Sequence, residues 1–139
     1  ISKYLMNREV GFGRRLLGIF EDEGIPFEHT PSGIDNMSVI VRDTHFNHAA
    51  EERVLRRIRT ELEVDELSVE RGLALAMIVG EGMHHPIGLA ARACVAFSRA
   101  AVNLEMINQG SSEVSMMFGI KAEDIPAAVR SLYAEFFRE

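Results

Sequence analysis

The sequence contains no tryptophan, only one cysteine and only four prolines among its 139 residues. The single cysteine, Cys94, excludes an intrachain disulfide and is typical of a reducing compartment, so we expect a cytoplasmic protein. No apolar run approaches the ~20 residues that a transmembrane helix needs, and no signal peptide opens the sequence. The composition therefore predicts neither a disulfide-stapled scaffold nor a membrane protein.

Basic residues are also few, with 15 Lys and Arg against 21 Asp and Glu and a formal net charge of −6. Modules that bind nucleic acid need a basic surface to neutralise phosphates, so this balance argues against a nucleic-acid partner. Hydrophobic residues make up 47% of the chain, which is too many for a disordered one. A chain of this length buries roughly 68–70% of its extended surface, enough for one domain or two small ones.

The chain repeats itself at a fixed offset of 77 residues. Without gaps, this offset pairs Gly11 with Gly88 and Phe20 with Phe97, and eleven such pairs are identical. Ordinary residue usage gives about a third as many identities by chance. The matched pattern of glycines and apolar positions predicts a tandem duplication.

The second copy shows the order of elements most clearly. The unbroken apolar run 73–79 predicts a buried strand, and the runs 104–108 and 114–120 predict two more strands around a turn at 109–112. A proline at position 86 lies near the start of the first of two amphipathic helices. The apolar stripes of these helices are Ile87, Ala90, Ala91, Cys94, Phe97 and Ala101, then Ile125, Ala128, Val129, Leu132, Tyr133 and Phe136.

The first copy has the same order. Strands are predicted over 1–5, 25–30, 37–41 and 67–69. Phe12, Leu16, Leu17 and Phe20 predict a helix that ends at Gly24. A second helix is predicted from Ala50, Val54, Ile58 and Leu62, with Asn47 as its N-cap.

This order predicts an α+β fold of two ferredoxin-like βαββαβ units in tandem, each an antiparallel sheet with helices on one face. We place the units at 1–70 and 71–139. The repeat implies that the first strand of the first unit is clipped and that the fourth strand of the second is absent. The sequence is therefore expected to be a piece of a longer protein. Exposed sheet edges favour a homodimer.

Two motifs, one repeat apart, carry a family resemblance. Residues 6–13 and 28–35 resemble the first ACT domain of a monofunctional bacterial aspartate kinase, and residues 80–83 and 109–113 are similar to the second. The resemblance covers essentially the whole chain. It implies a non-catalytic regulatory region that is covalently linked to a kinase domain in the parent protein.

The resemblance also implies a role in amino-acid biosynthesis. In that family lysine, threonine or both bind between ACT domains and inhibit the ATP-dependent phosphorylation of aspartate. This chain would then hold no catalytic residue, metal or cofactor, because ATP and Mg²⁺ belong to the kinase domain. The family commonly completes its second ACT sheet with a strand that precedes the first ACT domain, which would account for the missing strand.

An effector site is predicted in the first unit. Glycines between a strand and a helix N-terminus allow close approach to free amides, while Glu28 or Asp35 offers a carboxylate to an ammonium group. The alternative is that Gly11 and Gly13 only form a tight turn and that Glu28 lies in solvent. By resemblance and from the same segments, the predicted contacts are Met6, Arg8, Gly11, Phe12, Gly13, Pro26, Phe27, Glu28, Asp35, Asn36 and Met37.

The second unit has similar parts, for which a second effector site and an interface are both open; we favour the interface. The residues are His85, Gly88, Leu89, Asn103, Leu104, Glu105, Ser112 and Glu113. Two rival functions remain: a module used only for dimerisation, and a small metal-dependent enzyme on a duplicated ferredoxin-like fold. The enzyme would depend on His45, His48 and Glu51, whose expected place is a solvated helix start. Cys94 is expected to be a small buried hydrophobe.

Overall fold

The computed structural model describes residues 1–80, 87–110 and 114–137. The chain divides into two compact units, Ile1–Val69 and Glu70–Glu139, which we call unit 1 and unit 2. Each unit has its own hydrophobic core. Within the described ranges, no helix combines the length and the apolar character that crossing a membrane requires.

Unit 1 contains two helices and a small antiparallel sheet. Its elements in chain order are α1 (Phe12–Asp22), β1 (Phe27–His29), β2 (Ile40–Val41) and α2 (His48–Leu62). In the sheet, Phe27 lies opposite Val41 and His29 opposite Ile40, with an irregular register between them. Short 3₁₀ turns, Met6–Arg8 and Asp43–His45, precede α1 and α2.

The helices predicted for unit 1 are confirmed. The Asn47 side chain accepts a hydrogen bond of 3.0 Å from the amide of Ala50, which fixes the start of α2. Gly24 follows α1 in the left-handed conformation. Most of the core comes from one stripe of each helix, in which Ile19 is buried and the predicted Leu17 only partly so. The stripes are Phe12, Leu16, Ile19 and Phe20 of α1 with Ala50, Val54, Ile58 and Leu62 of α2, and Met6, Ile25, Met37 and Phe46 complete the core.

Unit 2 contains a three-stranded antiparallel sheet and two helices. Its elements are β3 (Leu73–Val79), α3 (Leu89–Arg99), β4 (Met106–Asn108), β5 (Ser115–Lys121) and α4 (Ile125–Phe137). Both β3 and β4 pair with β5, which lies between them. Because α3 connects two parallel strands on either side of β5, this is the strand order of a ferredoxin-like fold, and the predicted α+β class is confirmed.

The described helices of unit 2 pack on one face of its sheet. Phe97 of α3 and Phe118 of β5 meet there, with ring centroids 4.8 Å apart. Side chains alternate along a strand, so Leu73, Met77 and Val79 of β3 point to the other face and are exposed. The prediction that this run is a fully buried strand is therefore wrong, because the run is buried on one face only.

Two strands predicted in unit 1 are absent. Residues 1–5 make single bridges from Ser2 to Asn36 and Glu66, and the 67–69 segment forms no strand. Leu5 takes a left-handed conformation at φ 56°, which ends the extended backbone before the 3₁₀ turn. Leu67 packs against the core of unit 1, so its apolar character reflects burial and not strand pairing.

The buried faces of the helices in unit 2 also differ from the predicted stripes. Ile87 is fully exposed, and α3 buries Ala93, Ala96 and Phe97, whereas Ala90 and Ala91 are exposed. In an alanine-rich helix several stripes are nearly equivalent, and the position of Phe97 decides which one faces the core. In α4, Ala128 and Leu132 are buried but Val129 and Tyr133 are exposed. Position 86 lies outside the described residues.

The two copies of the repeat also share backbone conformations. Gly11 and Gly88, the N-caps of α1 and α3, are both left-handed, with φ of 81° and 89°. Gly24 and Ala101, after the same helices, are left-handed at 66° and 55°. The second helices depart by one residue from the gap-free alignment, because Ala50 of α2 matches Ala128 of α4 in burial and not Ala127.

Because Gly24 and Ala101 are both left-handed, exchanging glycine and alanine at the two positions should change the free energy of unfolding in opposite directions. Replacing Gly24 by alanine should destabilise the chain by about 0.5–1 kcal/mol, and Ala101→Gly should stabilise it by a similar amount. A Cβ at Gly24 would meet no atom within 4 Å, so the effect is conformational.

The measurement is denaturant unfolding, with Gly18→Ala as the control. Gly18 is inside α1 and has equally open space around it, so alanine should stabilise the chain there. The same response at positions 18 and 24 would contradict the interpretation.

Candidate functional site

The loop before α1 is held from both ends. Met6 is buried in the core of unit 1, and its amide donates to the carbonyl of Lys3 at 3.1 Å. At the other end, Gly11 is the left-handed N-cap of α1, and no side chain caps the helix there. The amide of Phe12 already donates to the carbonyl of Glu9 at 3.2 Å, so the amides of Gly13 and Arg14, which have no acceptor within the helix, are the ones left at the positive end of the helix dipole. We call residues 6–13 the effector loop.

The turn at 34–37 lies beside the effector loop. The amide of Asn7 donates to the carbonyl of Ile34 at 3.1 Å, and the amide of Lys3 donates to that of Asp35 at 2.9 Å. A Cβ added to Gly13 would lie 3.9 Å from the sulfur of Met37, so the start of α1 contacts the turn as well. Two segments far apart in sequence thus meet at one place.

Asp35 has a buried carboxylate oxygen, Oδ1, without a hydrogen-bond partner. Leaving a buried acceptor unpaired costs free energy, about 1–3 kcal/mol and more for a charged group. A donor that reached this oxygen, such as the ammonium group of a ligand, would remove that cost. This position is where the sequence places one of its two candidate ammonium acceptors.

Glu9 of the effector loop belongs to a charged cluster that was not predicted from the sequence. The Glu9 carboxylate accepts from the ammonium of Lys3 at 2.7 Å and also from the guanidinium of Arg15. The hydrogen bond from Lys3 lowers the pKa of Glu9, with smaller contributions from both positive charges, while desolvation opposes the shift. Their positions match no helical or strand period, so only the closure of the loop brings them together.

Glu28, the other candidate acceptor, already has a partner. Its carboxylate accepts a hydrogen bond of 2.5 Å from Nε of Arg42, which lowers the pKa of Glu28; the charge of His45 contributes less. Glu28 and Arg42 meet because β1 and β2 are antiparallel, with Phe27 opposite Val41. Glu28 is exposed, which agrees with the alternative that it lies in solvent, but its carboxylate is paired there with Arg42.

Pro26 and Phe27 line a separate groove beside α1. Phe27 is 48% exposed, and the groove has a volume of about 520 Å³. The predicted contacts thus form two groups, one at the effector loop and the turn and one at the start of β1. The groove is lined by Arg14, Leu17, Gly18, Phe20, Glu21, Ile25, Pro26 and Phe27.

The remaining predicted contacts in unit 1 divide between core and surface. Three of them, Met6, Phe12 and Met37, are buried core residues, so their side chains support the site from the core of unit 1. Arg8 and Asn36 are exposed at its edge.

Unit 2 repeats the helix start but not the charges. Gly88 caps α3 as Gly11 caps α1, and Leu89 is partly buried against the core. Asn103 donates to the carboxylate of Glu105 at 3.0 Å, and Leu104 between them is partly buried. The other predicted residues, His85, Ser112 and Glu113, lie outside the described residues.

The residues proposed for a metal-dependent enzyme do not converge. His48 contacts Glu52 at 3.4 Å, one helical turn along α2. Among the residues that the structure describes, no group of three His, Cys, Asp or Glu side chains is placed to hold a metal ion, so His45, His48 and Glu51 do not form one. Cys94 is half-buried, which corrects its prediction as a buried residue.

Known proteins resemble both the sequence and the fold. A family model described as ACT domain matches residues 77–136. Aspartokinase 3 of Bacillus subtilis is 58% identical over 99% of this chain and 30% of its own length. The chain thus spans about a third of that relative.

Solved structures with similar folds also include aspartate kinases. The aspartate kinase of Clostridium acetobutylicum is 37% identical with a TM-score of 0.92, over 98% of this chain and 31% of that one. The regulatory subunit of aspartate kinase from Thermus thermophilus has the same fold, with a TM-score of 0.77 at 24% identity, over 94% of this chain and 85% of that one. The chain belongs to the aspartate kinase family, and its residues 77–136 match the ACT-domain model.

Proposed function

We propose that unit 1 binds an amino-acid effector, lysine or threonine or both, and that binding inhibits a covalently linked aspartate kinase domain. The observation that carries the proposal is the buried, unpaired oxygen of Asp35 beside the effector loop. The chain's family and the 58% identity to an aspartokinase support the regulatory setting. Lysine and threonine are chosen by the family resemblance.

The chemistry of a free amino acid suits this place. Its ammonium group would donate to the Asp35 carboxylate, which is a charge-assisted and therefore strong hydrogen bond. Its carboxylate would accept from the amides of Gly13 and Arg14 at the start of α1, where no side chain caps the helix. Gly11 and Gly13 present no side chains that would block this approach. We assign Glu28 a secondary role, because a ligand ammonium there must displace Arg42.

Signal transmission requires little energy. Allosteric coupling is typically about 1–3 kcal/mol, which one such ligand supplies if it binds the two states of the protein differently. In this proposal the ACT-like domains are 1–70 and 71–139, the chain forms a homodimer through them, and the cytoplasm is where its effectors are found.

A contact role for unit 2 is the second candidate. Leu73, Met77 and Val79 form an exposed apolar stripe on the sheet face that the described helices leave uncovered. Such stripes are typical of interaction surfaces. A module used only for dimerisation would keep this stripe and leave the effector site empty.

Calorimetric titration with lysine, threonine and aspartate, combined with sedimentation equilibrium, tests the proposal. Saturable heat with lysine or threonine but not with aspartate is the expected result. A folded dimer that gives no heat with lysine or threonine would instead favour the contact role.

A further inference from the structure

Lys3 joins four segments of unit 1. Its ammonium donates to the carbonyl of Leu62 at 2.7 Å and pairs with the carboxylate of Glu9 at 2.7 Å. The same group lies 5.8 Å from the ring centroid of Phe12. Its backbone amide donates to the carbonyl of Asp35. With a side chain only 19% exposed, Lys3 is an interior connection and not a solvated surface lysine.

Each of these partners lies either in the proposed site or at the end of α2. Glu9 lies in the effector loop, and Phe12 is the first residue of α1. Asp35 carries the unpaired carboxylate, and Leu62 is the last residue of α2. A cation at a helix C-terminus is favourable because the last carbonyls lack partners within the helix.

Residues on both sides of Lys3 bind the segment after α2. The amide of Ser2 donates to the carbonyl of Glu66 at 3.0 Å, and the amide of Asp65 donates back to Ser2 at 3.0 Å. The amide of Tyr4 donates to the carboxylate of Asp65 at 2.6 Å. A displacement of Lys3 is therefore transmitted to residues 62–66, which precede the end of unit 1.

We propose that Lys3 is a positioning residue for the effector site: through Glu9 and Asp35 it holds the effector loop in place and connects the loop to the segment after α2. The inference rests on the proposed function where it concerns affinity. It makes a separate statement about the order of the loop, which is measurable without any effector. Lys3 itself need not touch the ligand.

Lys3→Met keeps an unbranched side chain and removes the ammonium group, so the ion pair with Glu9, the hydrogen bond to Leu62 and the charge over the Phe12 ring are lost together. We expect the effector-loop amides of Asn7, Arg8 and Phe12 to exchange hydrogen about tenfold faster in this variant, because the loop loses its charge-assisted anchor. Amides of Val54 and Ile58 in α2 should keep their rates. Lys3→Arg, which retains the charge, should restore most of the protection.

Affinity gives the second measurement. Titration with lysine and threonine should show about five- to tenfold weaker binding for Lys3→Met. If Lys3 acts through Glu9, then Glu9→Gln should cause a similar loss, and the double variant should lose little more than either single one. Lys121→Met is the matched control, because Lys121 pairs with Glu70 within unit 2, whereas the proposed site belongs to unit 1.

The two readouts separate the two failures. If the unmodified chain bound neither lysine nor threonine, the proposed function would be overturned. Amide hydrogen exchange in the effector loop would still decide the role of Lys3. Unchanged loop exchange in Lys3→Met would overturn this inference. Faster exchange spread evenly over α2 and the loop would overturn it too, because it would show a general contribution to stability.

Discussion

Replacing Asp35 by asparagine should lower the affinity of the chain for the proposed amino-acid effector by about 10- to 100-fold. Hydrogen bonds to charged groups contribute about 1.5–3 kcal/mol, and each 1.4 kcal/mol is a factor of ten in affinity. Asparagine keeps the size of the side chain and an acceptor oxygen but removes the negative charge. The buried Oδ1 of Asp35 has no partner within the protein, so a ligand ammonium group that reaches it displaces no other donor.

Asp22→Asn is the matched control for this experiment. Asp22 is in the same unit at the exposed end of α1, and its carboxylate accepts from Arg57 at 2.8 Å. Calorimetric titration of both variants should show the loss at position 35 only. Equal affinities in Asp35→Asn and the unmodified chain would place the ammonium contact elsewhere, with Glu28 as the next position to examine.

Replacing Phe97 by alanine should destabilise unit 2 by about 3–5 kcal/mol, the range typical of a large aromatic side chain removed from a core. Phe97 is 1% exposed and packs on Phe118, with interplanar angle 53°. Its removal leaves a cavity between α3 and the sheet that small alanine neighbours are unable to fill. Hydrogen exchange at the amides of β5 should report the loss.

Phe137→Ala controls for the general loss of an aromatic ring. Phe137 is 66% exposed at the end of α4, where it stacks on Tyr133. Truncation there should cost less than about 1 kcal/mol. Similar costs at 97 and 137 would mean that the core of unit 2 is not centred on the Phe97–Phe118 pair.

The helices were predictable because their apolar residues recur at helical spacing over several turns. The 50, 54, 58 and 62 positions of α2 are all buried, and Asn47 caps that helix. The strands of unit 1 were less predictable. Residues 1–5 are apolar enough for a strand, yet Leu5 turns left-handed, a property that hydrophobic pattern does not report.

The candidate site was partly predictable for a similar reason. The glycines around α1 and the acidic turn at 34–37 are local signals, and the structure brings them together. The Lys3–Glu9–Arg15 cluster and the Glu28–Arg42 pair depend on loop closure and strand register, which no local spacing specifies. A sequence therefore indicates which groups can bind a ligand more readily than which of them are already paired.

Backbone NMR during a titration with lysine or threonine tests the central claim most directly, because it locates the ligand on the chain. The account predicts saturable amide shifts in the effector loop, at Asp35 and Asn36, and at Lys3, with β5 of unit 2 unchanged. Shifts confined to unit 2, or no shifts at saturating concentrations of either amino acid, would contradict an effector site in unit 1.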